Sequence, residues 1–317
     1  DDCGSMACVL TAAAGNRPVA MNCVFRQEYR ENERKGGEYV EVNGGDVILE
    51  TEHLCYSYDG KKIALQDVNV SVRQRERIAV LGSNGAGKST CFLNLNGVLT
   101  PDSGRILYRG TEITKKNRNE LRKHVGIVFQ EADNQIIAST VAAEVSFGPM
   151  NLKLPVTEVK RRVDEALECM NLTEMKDRPP HYLSGGEKKR VCIADIVAME
   201  SELFLFDEPT ASLDPLNVAI FEAVLDKLWN MGKTLLISTH DVDFAWRWAD
   251  RALVFSGGRL IADDAPCRIF QDESMITQAN LRKPVLMDVC SRLAAHGLVP
   301  AGTYVKDTEE LEQLLCR

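Results

Sequence analysis

The chain has no apolar run near the ~18–20 residues that a membrane-spanning helix needs. Its apolar stretches are short, as in Ile78-Ala79-Val80-Leu81 and Leu203-Phe204-Leu205-Phe206. If it works at a membrane, other chains do the spanning. It also lacks an excess of positive charge. The formal net charge is −8, whereas a general nucleic-acid binder needs a basic surface for phosphate contacts, so no nucleic-acid partner is expected. No C-x-x-C occurs among the ten cysteines, and Cys3, Cys8 and Cys23 are irregularly spaced, which does not favour a zinc site. Cys91, Cys169 and Cys192 lie in apolar segments and read as small buried thiols of a reduced, intracellular chain. Residues 19–25 are too short and too polar for a secretory signal, and none is expected.

With 317 residues, 44% apolar and 26% charged, the chain can bury a sizeable core, as two domains or as one large domain with appendages. Residues 1–46 read as an extension of unassigned role. Gly15-Asn16-Arg17-Pro18 is a turn signal, residues 26–35 hold seven mixed-sign charges, and glycine pairs flank a short alternating piece at 39–42. From Val47 the pattern sharpens. Residues 47–54 and 63–72 read as strands, with Val68, Val70 and Val72 alternating with polar positions, and Asp59-Gly60 between them is a hairpin signal. Residues 77–81 and 125–129 read as short buried strands. From about residue 131 to 200 the spacing turns helical, with Val159, Val163, Ala166, Leu167 and Met170 on one face. Strand and helix then alternate at 203–206, 216–230, 234–238, 242–249 and 252–255, which argues for parallel βαβ units. After about Asp272 the sheet signal ends. Val285, Leu286, Val289, Cys290 and Leu293 form a helical stripe, and residues 308–315 form a second short helix.

Three segments carry chemistry. Gly82-Ser83-Asn84-Gly85-Ala86-Gly87-Lys88-Ser89-Thr90 fits G-x-x-x-x-G-K-[ST] between an expected strand and an expected helix. Such a loop wraps backbone N–H groups around phosphate oxygens, the helix N-terminus adds partial positive charge, Lys88 reaches the β- and γ-phosphates, and the Ser89 hydroxyl can ligate Mg²⁺. Next, the strand at 203–206 runs into Asp207-Glu208. Strand C-termini face the ligand crevice in a parallel sheet, so Asp207 can hold Mg²⁺ and Glu208 can orient or deprotonate water. Third, Leu183-Ser184-Gly185-Gly186-Glu187 opens a helix as a second anion-binding N-terminus. Two such segments could serve two nucleotides or opposite sides of one.

In this order the motifs resemble the Walker A, Walker B and signature elements of ATP-binding cassette (ABC) transporter ATPases. The resemblance covers about residues 47–275. It implies an α/β fold with a P-loop (RecA-like) core, an antiparallel β subdomain and a helical signature subdomain, followed by a small C-terminal helical extension at 276–317. It further identifies Gln130 with the Q-loop glutamine that joins Ser89 and Asp207 at Mg²⁺, Ser212-Leu213-Asp214 with the D-loop, and His240 with the switch histidine. Tyr58 matches the aromatic that stacks on adenine, with Tyr56 a competitor. A narrower resemblance, carried by residues 178–190 and 132–137, is to the cobalt-transport ATPases of energy-coupling-factor (ECF) importers. That likeness implies ATP and Mg²⁺ as cofactors and a head-to-tail pairing with a second ATPase subunit, identical or paralogous, in which each chain's signature faces the partner's ATP. It also implies a transmembrane scaffold subunit, a separate membrane subunit that selects the substrate, and a peripheral location on the cytoplasmic face of the membrane. Cobalt is the expected cargo, with nickel or a vitamin as the alternative; a soluble ABC ATPase of translation or DNA repair is the more distant one.

Overall fold

A computed structural model describes residues 45–211 and 213–316. The readings placed on residues 1–44 and on Ser212 lie outside the described residues. The described part opens with a hairpin of β1 (Val47–Tyr58) and β2 (Lys62–Arg73). Asp59 and Gly60 both take positive φ, 53° and 63°, and the Lys61 N–H donates to the Tyr58 carbonyl at 3.1 Å. Two left-handed central residues match the twist of the flanking strands, so the dipeptide signal is realised as a turn. The short apolar β3 (Arg77–Leu81) follows, then a loop and α1 (Lys88–Leu95). Strands β4 (Ser103–Tyr108) and β5 (Thr111–Glu112) join the hairpin in an antiparallel sheet of order β2-β1-β4-β5.

The chain then enters α2 (Arg118–His124) and β6 (Val125–Val128). A helical block of α3 (Val141–Asn151), α4 (Val156–Cys169) and α5 (Gly185–Ala198) comes next. On α4 the buried face is Val159, Val163, Ala166 and Leu167, the stripe expected from the spacing. Then β7 (Leu203–Asp207), α6 (Pro215–Asn230), β8 (Thr234–Ser238), α7 (Val242–Trp248), β9 (Arg251–Ser256) and β10 (Arg259–Asp264) complete a second sheet of order β10-β9-β3-β8-β7-β6. Its strands are parallel except for β10, as the alternation of strand and helix implied.

Both faces of this sheet are covered, and β7 shows how. Leu203 and Leu205 point into an apolar cluster with Ile48, Leu54, Leu65, Phe92 and Phe255. Phe204 and Phe206 point the other way, into a cluster with Phe221, Leu225, Trp246 and the helical block. Alternate side chains of one strand leave on opposite sides, so a wholly apolar strand needs cover on both. Four short helices close the chain: α8 (Pro266–Gln271), α9 (Glu273–Gln278), α10 (Val285–Ala295) and α11 (Thr308–Leu315). The stripe expected on α10 is shifted. Val285 is 57% exposed, while Met287 and Cys290 are buried. The C-terminal segment packs on α7, where the Trp246 indole N–H donates to the Val305 carbonyl at 2.8 Å and its ring meets Tyr304 edge-on. Among the described residues no helix is long and apolar enough to cross a membrane.

Candidate active site

The loop from β3 to α1 forms one wall of a cavity of about 1160 Å³, and all nine residues Gly82 to Thr90 line it. Two of its glycines are required by their surroundings. Gly82 has φ 143°, and an added Cβ would overlap the Phe255 carbonyl oxygen. Gly87 has φ 109°, and a Cβ there would lie 2.7 Å from the Ala64 carbonyl oxygen. Gly87 is also the N-cap of α1 and offers no side-chain oxygen to the first turn. The N–H groups of that turn are therefore left for an anion. Lys88 is 5% exposed, and its Nζ donates to the carbonyls of Gly82 at 2.8 Å and Ser83 at 3.3 Å. Its charge is met by Glu208, whose Oε1 is 3.3 Å away.

The facing wall comes from the C-terminal ends of β7 and β8. Ser238, fully buried, organises it. Its hydroxyl donates to Asp207 Oδ1 at 2.6 Å and accepts from the Glu208 N–H at 2.9 Å, and its carbonyl accepts from the same N–H at 3.1 Å. These bonds hold Glu208 at φ 44°, a left-handed conformation costing a non-glycine residue ~1–2 kcal/mol. The turn aims its carboxylate into the cavity. Glu208 Oε2 lies 2.8 Å from His240 Nδ1. Glu208 thus sits between a lysine and a histidine, all three lining the cavity. Asp207 does not line it. It is 9% exposed and lies one residue back along β7.

Gln130, just past the end of β6, lines the same cavity. So does Tyr58, whose hydroxyl is 3.2 Å from Thr90 Oγ1. Tyr56 packs edge-on against Tyr58 with centroids 5.1 Å apart and is not part of the lining, so of the two tyrosines only Tyr58 faces the cavity. Sequence reasoning had not placed Asp243, Asn280, Leu281 or Arg282 there, yet they form its rim. The link is tertiary: Asp243, in the first turn of α7, accepts from the Val285 N–H at 2.6 Å and from Arg282 Nη2 at 3.3 Å. The importance of Ser238 was equally hidden, since alone it reads as a polar strand end.

The signature segment lies elsewhere. Ser184 caps α5 through a reciprocal box: its hydroxyl accepts from the Glu187 N–H at 3.3 Å, and Glu187 Oε2 accepts from the Ser184 N–H at 2.7 Å. The Ser184 N–H holds the Glu187 carboxyl below its ordinary range. Leu183 is buried, and an added Cβ on Gly186 would overlap the Asn217 side chain. None of Leu183, Ser184, Gly185, Gly186 or Glu187 lines the large cavity. Gly186 instead borders a small crevice with Leu213 and Asn217. Asp214 caps α6, accepting from the Asn217 N–H at 2.9 Å, and that bond lowers its pKa. Ala211 reaches the large cavity from the same loop.

The residues present fit a nucleotide with Mg²⁺. A buried lysine parked on its own loop carbonyls, beside a helix N-terminus stripped of a cap, suits phosphate. Ser89 and Gln130 line the cavity and would offer the metal oxygen donors, with Asp207, one residue behind the lining, as the carboxylate of the set. Among the described residues no group of three or more His, Cys, Asp or Glu gathers to cage a metal. Mg²⁺ needs no such cage, being held by one or two carboxylates and substrate phosphates.

Known proteins resemble this chain over most of its length. Residues 65–211 match the family described as ABC transporter. The energy-coupling factor transporter ATP-binding protein EcfA of Methanothermobacter thermautotrophicus is 44% identical over 272 residues, 84% of this chain and 88% of that protein. The cobalt import ATP-binding protein CbiO of Rhodobacter capsulatus is 45% identical over 267 residues, 83% of this chain and 95% of that protein. A solved structure of cbiO1 from Clostridium perfringens, described as part of the ABC transporter complex cbiONQ, is 40% identical with a TM-score of 0.66, covering 79% of this chain and 99% of that one.

Proposed function

Because the chain belongs to the ABC transporter ATP-binding family, we propose that it binds and hydrolyses ATP to drive an ECF-type importer, with cobalt ions as the cargo. The observation that carries the reading is Glu208, fixed by Ser238 and poised between Lys88 and His240 at the open end of a glycine loop. On ATP entry Lys88 exchanges the Gly82 and Ser83 carbonyls for phosphate oxygens. The backbone N–H groups of residues 82–90 surround the same phosphates, and Tyr58 stacks on the base. Glu208 orients a water toward the γ-phosphorus and takes its proton, while His240 holds the Glu208 carboxylate in position. When bound, Mg²⁺ supplies neutralisation of charge on the β- and γ-phosphates.

The second half of each site comes from a partner subunit, identical or paralogous. Its Ser184, Gly185 and Gly186 complete the phosphate ligands from across the dimer, with the loop containing Ser212, Leu213 and Asp214 at the seam. The separation of signature and cavity within one chain supports this division. A membrane scaffold takes up the resulting motion beside Gln130, and a further membrane subunit selects the ion. The chain then resides peripherally on the cytoplasmic face.

The test is an equilibrium ATP titration and a phosphate-release assay on the wild type and on Lys88→Ala, which removes the main side-chain partner of the phosphates. The variant should lose most binding; wild-type affinity in it would overturn the assignment. Co-expression with the membrane subunits should move the chain to the membrane fraction and confer ATP-dependent cobalt uptake. Nickel uptake in its place would move the cargo to the alternative metal.

A further inference from the structure

We propose that Lys189, on the signature helix, is a positioning residue that fixes the Gln130 loop and so ties the metal side of the ATP site to the helix carrying Ser184. This inference rests on the ATP-hydrolysing role proposed above. Lys189 is 4% exposed, and its Nζ donates to the carbonyl oxygens of Phe129 at 3.0 Å and Gln130 at 2.7 Å. Strand β6 ends at Val128, so both carbonyls lie just past the sheet ladder and need another donor. The segment is held from its other side too. Gln135 Oε1 accepts from the Phe129 N–H at 3.2 Å, and Gln135 Nε2 donates to the Ile127 carbonyl at 3.3 Å. The neighbouring Lys188 reaches Asp133 Oδ1 at 2.6 Å, a second tie from α5 to the same stretch.

A buried ammonium is an expensive way to fill space. Burial pulls its pKa below the ordinary lysine value, and an apolar side chain of similar size serves plain packing at lower cost. What the ammonium adds is direction: two carbonyls of successive residues are fixed on one nitrogen, and the second belongs to Gln130, whose residue lines the ATP cavity. The same Lys189 borders the crevice with Gly186 and Asn217. Ser184 stands five positions earlier as the cap of the same helix, roughly 7 Å along its axis at ~1.5 Å per residue. A shift of the Gln130 loop therefore cannot occur without straining the signature helix, and the reverse holds.

The experiment uses the full chain with Lys189→Met, Lys189→Gln, Gln130→Ala and the Lys189→Met/Gln130→Ala double variant. ATP affinity is measured with and without Mg²⁺, alongside kcat, KM and thermal midpoint. Lys189→Met should keep Mg²⁺-free ATP affinity, lose the affinity gained from Mg²⁺, and lower kcat by ~10–100-fold, the usual effect of removing an outer partner of a metal ligand. Lys189→Gln, with one amide donor, should fall between. The double variant should be no worse than Gln130→Ala alone, because both changes remove one function. Losses that multiply, or a Lys189→Met chain with normal Mg²⁺ response, would overturn the inference. Should Lys189→Met fail to fold, Lys189→Gln decides alone: a partial loss confined to Mg²⁺-dependent affinity supports the inference, and an equal loss in both conditions overturns it. If the wild type binds ATP but never hydrolyses it, the proposed function fails while the affinity comparison still judges Lys189.

Discussion

Replacing Glu208 by glutamine separates two effects that this carboxylate combines. The first is chemical. Glutamine keeps the shape and the hydrogen bond toward His240 but cannot take a proton, so turnover should fall by ~10²–10⁴, the usual worth of a general base, equivalent to about 3–5 kcal/mol of barrier. The second is electrostatic. Glu208 Oε1 is 3.3 Å from Lys88 Nζ, with the two side chains only 13% and 5% exposed. Unit charges at such a separation attract by about 5 kcal/mol at an effective dielectric of 20, and desolvation of both offsets much of that. A net restraint of ~1–2 kcal/mol holds Lys88 away from phosphate in the empty site, so its removal should tighten ATP binding by ~5–30-fold. With hydrolysis blocked and Lys88 free, the protein should elute as a dimer in ATP and Mg²⁺. Phosphate release, fluorescent-ATP titration and size exclusion on one preparation test all three. Near-normal turnover would refute the catalytic role, and weaker ATP binding would refute the electrostatic argument. Asp207→Asn should differ, because it disturbs the Ser238 bridge and the metal site together, losing Mg²⁺-dependent closure.

Other outcomes follow from individual positions. Gly82→Ala should lower stability by about 2–4 kcal/mol even without nucleotide, since φ 143° and the Phe255 carbonyl both exclude a Cβ; an unchanged melting temperature would contradict the loop geometry. Asp195 on α5 accepts from the Gly148 N–H at 3.2 Å, and burial raises its carboxyl to about 7 from 3.8. Below the unfolded value both states are neutral. As pH rises from about 4 to 7 the unfolded chain ionises first, and the fold loses up to roughly 1.4 kcal/mol per unit. Asp195→Asn should therefore gain stability relative to wild type across that window and plateau above it; a difference in urea unfolding that does not grow with pH would refute this. Removing residues 1–46 should leave ATP affinity intact, because every described residue lining the cavity lies after Val47; a folded but non-binding truncation would show otherwise.

The glycine loop, the Asp207-Glu208 strand end and the serine cap of α5 were legible because each is set by local backbone rules: positive φ, alternation, capping. Strands β3, β7 and β8 were legible for a similar reason, since a short wholly apolar run admits few placements. Strands β4 and β10 were not. Their residues are largely exposed or half-buried and carry no clean alternation, and only pairing with β1 and β9 makes them strands. The shifted face of α10 has the same origin. Five apolar residues span more of a helix than one contact surface can cover, and docking on α7 decided that Met287 and Cys290, not Val285, go inside. The Arg282 rim and the Ser238 bridge were beyond reach because each joins segments far apart in sequence.

The place of β3 in its sheet also has a consequence in time. The strand that feeds the phosphate loop pairs on one side with β8 and on the other with β9. Both are made long after it: β3 ends at Leu81, whereas β8 begins at Thr234 and β9 at Arg251. At ~5–20 residues per second, an apolar strand emerging from the ribosome waits on the order of ten seconds or more for either neighbour. During that interval the β1–β2 hairpin, soon joined by β4 and β5, offers a sheet surface to shelter it. A growing chain should therefore hold its phosphate loop without the flanking strands of its sheet until β9 has emerged, so ATP cannot assist the folding of the domain that binds it until most of that domain has already been made.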